Sequence, residues 1–214
     1  MNGYRECVAS FYDARAEGYE AAFVDQPFQA HAKDFLEHAA KGGTHVLDVG
    51  CGPGHLTADL PESICVVGTD ISSAMIGKAK IRGPSGSYFE HDYLVALPPA
   101  LRDFDVILAS GCFDLCEDVG KALRLLAERL KEDGLFYFTV LERRESIPHQ
   151  AAGKINARPD RENPIWLWLW SFHQVAMALD GAGLVPVRYE CAAGCKSRTL
   201  DLDFFYGYWI VTRT

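Results

Sequence analysis

Apolar positions at Phe28, Ala32, Phe35, Leu36 and Ala39 recur near the helical period behind Pro27, and Gly42-Gly43 stops that pattern. Ahead of it, Phe11, Tyr12, Tyr19 and Phe23 stand among charges. Val46-Leu47-Asp48-Val49-Gly50 then has the profile of a short buried strand running into a glycine-rich turn, after which Leu56 and Leu60 predict a second helix. Ile64 to Asp70 is a strand ending in an acid, and Ser72 is placed to cap a helix through Met75, Ile76 and Ala79. The rhythm continues with a short strand from Ser87 to His91, a Pro98-Pro99 break, and a strong strand from Phe104 to Ala109. Val119, Leu123, Leu126 and Leu130 form a helical stripe closed by Lys131-Glu132-Asp133-Gly134, and Leu135 to Leu141 predicts a fifth strand. Continuous apolar strands alternating with amphipathic helices imply an α/β fold with a parallel sheet covered on both faces.

From Arg143 to Ile165 the rhythm breaks. That stretch carries Pro148, Pro159 and Pro164, and sets five basic residues (Arg143, Arg144, Lys154, Arg158, Arg161) against three acids, the pattern of a long loop or lid. Ser171 and Gln174 are spaced as a capping box for a helix through Val175 and Leu179 that Gly181 or Gly183 ends. Two strands, roughly Leu184 to Cys191 and Phe204 to Thr212, finish the chain. The expected organisation is a single domain over 1–214: an N-terminal helical cover (1–43), a binding core (44–142), a lid-like insertion (143–170) and a C-terminal helix with a strand pair (171–214).

Composition narrows the partners. With 49% hydrophobic residues in 214 the chain supports a core, and a net charge of −8 argues against nucleic acid or an anionic membrane surface as partner. There is no signal-peptide pattern at the N-terminus and no apolar run of bilayer-spanning length. Seven cysteines, several within apolar runs, suit free thiols and a cytoplasmic setting.

The chemistry concentrates at Val46 to Thr57. Gly50, Gly52 and Gly54, between a strand and a helix, allow a tight turn, close backbone approach to a ligand, and amides aimed at it. A dinucleotide fingerprint would need its third glycine at position 55, which is His55, so NAD and FAD are disfavoured. Asp70 stands 20 residues beyond Gly50, where a carboxylate can accept both hydroxyls of a ribose. Asp92, just past the third strand, is in reach of an adenine edge. This row suits an adenosine ligand without phosphates. Asp48 has two open readings, as a brace for the loop or as a ligand contact.

These residues, above all Val46-Leu47-Asp48-Val49-Gly50-Cys51-Gly52-Pro53-Gly54, resemble a class I S-adenosylmethionine-dependent methyltransferase of the small-molecule type, closely over 44–142 and in outline elsewhere. The resemblance implies a Rossmann-like seven-stranded sheet ordered 3-2-1-4-5-7-6, helices on both faces, and the last strand antiparallel. It implies S-adenosyl-L-methionine as cofactor, its methionine part over Asp48, Gly50, Cys51, Gly52 and Gly54, its ribose on Asp70 beside Ile71, and its adenine on Asp92 beside Tyr93. It further implies that Ser110, Gly111, Cys112 and Phe113 line the methyl-donor site and that Tyr12 and Tyr19 belong to an aromatic cover.

The expected reaction is in-line methyl transfer to an O or N nucleophile of a small molecule, in a monomer or homodimer. Where the acceptor needs a base, His149 and His173 are the first candidates, with Asp114 and Glu142 weaker ones. Cys112, Phe113, Tyr189 and Trp166, one of three tryptophans with Trp168 and Trp170, are candidate acceptor contacts. Ala109-Ser110-Gly111-Cys112 lacks the Asn/Asp-Pro-Pro-Tyr pattern of base- and glutamine-methylating enzymes. Cys112 with Cys116 and Cys191 with Cys195 could in number ligate zinc, but the spacing is poor and no metal is expected. Two alternatives remain: intramolecular cyclisation or cleavage of the sulfonium cofactor, and a non-catalytic adenosyl-binding subunit.

Overall fold

The apolar runs pair side by side in the computed structural model, which describes residues 3–19, 26–83, 85–158, 162–197 and 201–214. Phe23, Pro159 and Arg161 lie outside the described residues. β1 (His45–Val49) is flanked by β2 (Cys65–Asp70) and β4 (Phe104–Ala109), with β3 (Ser87–Glu90) beyond β2 and β5 (Leu130–Glu142) beyond β4, every neighbour parallel. β9 (Leu202–Arg213) runs antiparallel to β5 and to β8 (Leu184–Ser197). The sheet order β3-β2-β1-β4-β5-β9-β8 is the expected one, with the last strand of the chain antiparallel.

The period-two geometry of a strand splits the core into two layers. Leu47, Val49, Ile107, Ala109 and Phe138 pack on one face under α4 (Val119–Ala127) and α5 (Phe172–Asp180), through Leu123, Leu126, Val175 and Leu179. Val46, Val66, Val106 and Leu108 pack on the other under α2 (Pro27–Ala39) and α3 (Ser73–Arg82), through Ala32, Phe35, Ile76 and Ala79. Ser72 caps α3 by accepting from the Met75 amide, and Ser171 and Gln174 form the reciprocal box on α5. The N-terminal segment forms α1 (Gly3–Asp13), which docks on α3.

Three stretches differ from expectation. Residues 51–60 are a run of turns, not a helix, although the Gly54 carbonyl accepts from the Thr57 and Ala58 amides. With Gly50, Gly52 and Gly54 all at positive φ and Pro61 close behind, too few residues remain to nucleate a helix. Leu130 opens β5 instead of extending the α4 stripe; register shifts near Phe104 and Val106 accommodate the extra residues Lys131 to Gly134. The expected lid contains β6 (Lys154–Asn156), paired antiparallel with β7 (Trp166–Trp170), and β7 in turn adds in parallel to the end of β5. Trp-Leu-Trp-Leu-Trp is itself a period-two strand pattern: Leu167 and Leu169 join the core, while the Lys154 ammonium lies 4.4 Å from the Trp166 ring centroid and 5.2 Å from that of Trp168.

Candidate active site

Where β1, β2 and β4 end, the chain leaves a crevice of about 530 Å³ including its mouth. Gly50, Gly52, Asp70, Ile71, Tyr93, Ser110 and Cys112 line it from the sheet side, and Arg5, Tyr12 and Tyr19 line it from the N-terminal segment. Gly50 has φ +64°, and a Cβ there would sit 2.4 Å from Cys112 Cβ, so the close approach of the two loops requires glycine. Gly52, at φ +53°, presents bare backbone: a Cβ would meet nothing nearer than the Tyr19 ring, 3.8 Å away. Asp70 holds this turn, its Oδ2 accepting from the Gly52 amide at 3.0 Å and its Oδ1 from the Ser72 amide at 2.8 Å. Burial lifts the Asp70 carboxyl to about 6 in spite of those amides.

Asp48 resolves toward the bracing reading. It is buried, accepts from the Thr57 hydroxyl at 3.0 Å, does not line the crevice, and is pushed up to about 7 by burial. Cys51 is likewise packed in the core behind the loop, and Gly54 abuts Ala79 of α3.

Asp92, expected at the rim, does not line the crevice: Arg5 stands there instead and engages its carboxylate. Arg5 Nε donates to Oδ2 at 3.0 Å and Arg5 Nη2 to Oδ1 at 2.8 Å, a bidentate buried pair, and the Leu94 amide also donates to Oδ1. Arg5 reaches Tyr93 Oη and the Leu115 carbonyl as well. At the other end of α1, Asp13 Oδ1 accepts from the Ser72 hydroxyl at 2.6 Å and the Ala74 amide at 3.1 Å. Arg5 and Asp13, which sequence reasoning missed, therefore clamp α1 over the crevice; each partner lies 59 or more residues away, and no local pattern announces it.

A second cavity, about 1600 Å³ with its opening, shares Tyr12, Tyr19, Gly111 and Leu115 with the crevice. Phe11, Phe28, Leu167, Phe204 and Tyr206 form an apolar and aromatic part of its wall, and Arg15, Arg158 and Lys196 also line it. Phe28 and Tyr206 stack at 5.7 Å. Asp114, from the 3₁₀ turn Phe113–Leu115, lines the same cavity; the Tyr206 hydroxyl donates to its Oδ2, whereas its Oδ1 is buried without a hydrogen-bond partner.

Other expected contacts stand elsewhere. Phe113 is fully buried against Tyr93 and Phe138, and Cys112 alone of that pair reaches the crevice, its thiol donating to the Val49 carbonyl. Trp166 lines neither cavity, because strand alternation gives that side of β7 to Leu167. Tyr189 donates to Glu142 and packs on Phe172 and Trp209, outside both cavities. His149 bonds the Asp203 carbonyl and stacks edge-on to Phe204, and His173 is exposed at the start of α5; neither lines the crevice or the second cavity. Among the described residues, no three His, Cys, Asp or Glu side chains form a group that could hold a metal ion, and no helix is long and apolar enough to cross a membrane.

Residues 46–134 match the family model described as a methyltransferase domain. Over that stretch the chain is similar to methyltransferase domains. It is 29% identical over 160 residues to a malonyl-(acyl-carrier protein) O-methyltransferase of Enterobacter lignolyticus, covering 72% of this chain and 62% of that one. It is 36% identical over 107 residues to a ubiquinone biosynthesis O-methyltransferase of Bradyrhizobium diazoefficiens, covering 48% and 42%. The chain thus spans less than two thirds of the length of either relative. In fold it is similar to the 1,6-didemethyltoxoflavin-N1-methyltransferase of Burkholderia thailandensis, a structure with S-adenosylhomocysteine bound, at TM-score 0.69 and 19% identity over 98% of this chain and 87% of that one. The residues of the crevice fit S-adenosylmethionine: uncovered backbone at Gly52, a half-buried acid at Asp70 for vicinal hydroxyls, and aromatic rings of Tyr12 and Tyr19 at the junction with the second cavity.

Proposed function

We propose that the protein transfers a methyl group from S-adenosyl-L-methionine to the O or N nucleophile of a small molecule by in-line displacement. The observation that carries this reading is the pair of cavities meeting at Tyr12, Tyr19, Gly111 and Leu115, one walled by the glycine turn and Asp70, the other larger and aromatic. When bound, S-adenosylmethionine supplies an electrophilic methyl. Asp70 accepts the ribose hydroxyls, the Gly50–Gly52 backbone carries the amino-acid end, and Tyr93 and Ile71 flank the base. Tyr12 and Tyr19 hold water away from the junction, where positioning of the nucleophile matters most. The net charge of −8 supports a small-molecule acceptor over a nucleic acid, and free cysteines support a cytoplasmic setting.

Calorimetric titration with S-adenosylhomocysteine tests the ligand. Wild type is expected to bind, and Asp70→Ala to bind about tenfold or more weakly, as loss of hydrogen bonds to a carboxylate dictates. An unchanged affinity overturns the assignment. Product analysis then separates the chemistries, since methyl transfer leaves S-adenosylhomocysteine and cyclisation of the cofactor leaves methylthioadenosine.

A further inference from the structure

We infer that Asp114 is the acceptor-side base and that the acceptor is a neutral, phenol-like hydroxyl on a planar apolar skeleton, not a carboxylate. The inference rests on the reading of the second cavity as the acceptor site. Asp114 belongs to the short turn that follows β4, directly beside Leu115, which with Gly111 marks the junction of the two cavities. Its residue exposure is 7%, and Tyr206 fixes one carboxylate oxygen by donating to Oδ2. The other oxygen, Oδ1, has no partner, a costly state for a buried carboxylate unless something arrives to fill it.

A hydroxyl is the group that fits. Its O–H donates to Oδ1, and the stacked rings of Phe28 and Tyr206 with Phe11 and Phe204 offer a slot for a flat ring. In the reaction the hydroxyl oxygen forms the new O–CH₃ bond with its lone pair, the S–CH₃ bond breaks with its electrons left on sulfur, and the hydroxyl proton passes to Oδ1 and then to water. A carboxylate needs no base and would face the charge of buried Asp114 at short range. The groups nearest Asp114 are Tyr12 and Tyr19 from the N-terminal segment, Cys112 after β4, Cys195 on β8, and Tyr206 and Tyr208 on β9, all uncharged at neutral pH; the three cations of the same cavity, Arg15 and Lys196, both exposed, and half-buried Arg158, have their charge screened by solvent. Burial raises the carboxyl to about 7 against the lowering effect of the Tyr206 bond, which brings its basicity nearer to that of a phenol than an exposed aspartate would be.

Binding of two simple probes tests this whatever the natural acceptor is. With S-adenosylhomocysteine saturating at about pH 8, where phenols stay neutral, para-ethylphenol and para-ethylbenzoate are titrated into the protein. The phenol is expected to bind about tenfold or more tightly than the benzoate, and Asp114→Asn to erase that preference while S-adenosylhomocysteine affinity is retained. In Tyr206→Phe the pH midpoint of phenol binding moves up, because a bond to the ionised carboxylate is lost. Equal or tighter benzoate binding, a preference that survives Asp114→Asn, or no binding of either probe overturns the inference and leaves the cofactor reading intact. Failure of S-adenosylhomocysteine itself to bind removes both.

Discussion

At the scale of single residues, burial does two kinds of work on the aspartates. Asp70 and Asp114 are held at cavity walls, whereas Asp48 is sealed behind the glycine turn with Thr57 as its side-chain partner. Burial lifts Asp48 to about 7, from about 3.9 in an unfolded chain. The folded state therefore binds the extra proton between those values, and stability falls as pH rises from about 4 to about 7, then levels off. Urea unfolding of wild type and Asp48→Asn across that range is the check: the variant gains on wild type as pH rises, and a difference independent of pH would show that Asp48 ionises normally in the fold. Part of this is legible in the sequence. The spacing of Gly50, Gly52 and Asp70 marks a tight turn held by an acid, but nothing local distinguishes a bracing Asp48 from a ligand-touching one.

At the scale of elements, α1 carries little burial of its own beyond Val8 and Arg5, and its position depends on two distant anchors. Arg5 with Asp92 fixes its start and Asp13 with Ser72 fixes its end. Arg5→Ala leaves Asp92 buried with one amide donor, and loss of one partner of such a buried pair costs about 3–5 kcal/mol. Amide exchange followed by mass spectrometry is expected to accelerate throughout α1, and S-adenosylhomocysteine to bind more weakly because α1 walls the crevice; a variant with unchanged exchange in α1 would dismiss the clamp. β7 carries a different lesson. Its alternating Trp and Leu are a strand signal hidden inside a stretch whose prolines and basic residues have the composition of a loop, so the sequence points Trp166 at a site that Leu167 occupies.

For the molecule as a whole, the sheet is what sets two cavities side by side, and its far half is held by aromatic stacking. Trp209 on β9 is fully buried, stacks on Phe138 of β5 at 6.1 Å, and meets Phe172 of α5 at 5.1 Å. Trp209→Ala is expected to cost about 3–5 kcal/mol in denaturant unfolding. Because Trp209 lines neither cavity, the folded variant keeps its S-adenosylhomocysteine affinity within about threefold; a larger loss would tie the two halves of the sheet together functionally.

Sequence alone determined the strand and helix alternation, the helix caps at Ser72 and Ser171, the glycine turn and Asp70. Each of these depends on neighbours within a few residues or on the period of a single element, so it is written locally. Tertiary structure decided that Arg5 reaches Asp92, that Tyr206 meets Asp114 across 92 positions of chain, and that His149 and His173 stand away from both cavities. Those contacts exist only after β9 inserts beside β5 and α1 closes over the sheet. A side chain's partner at such separations is set by packing of the whole fold, which no local pattern encodes.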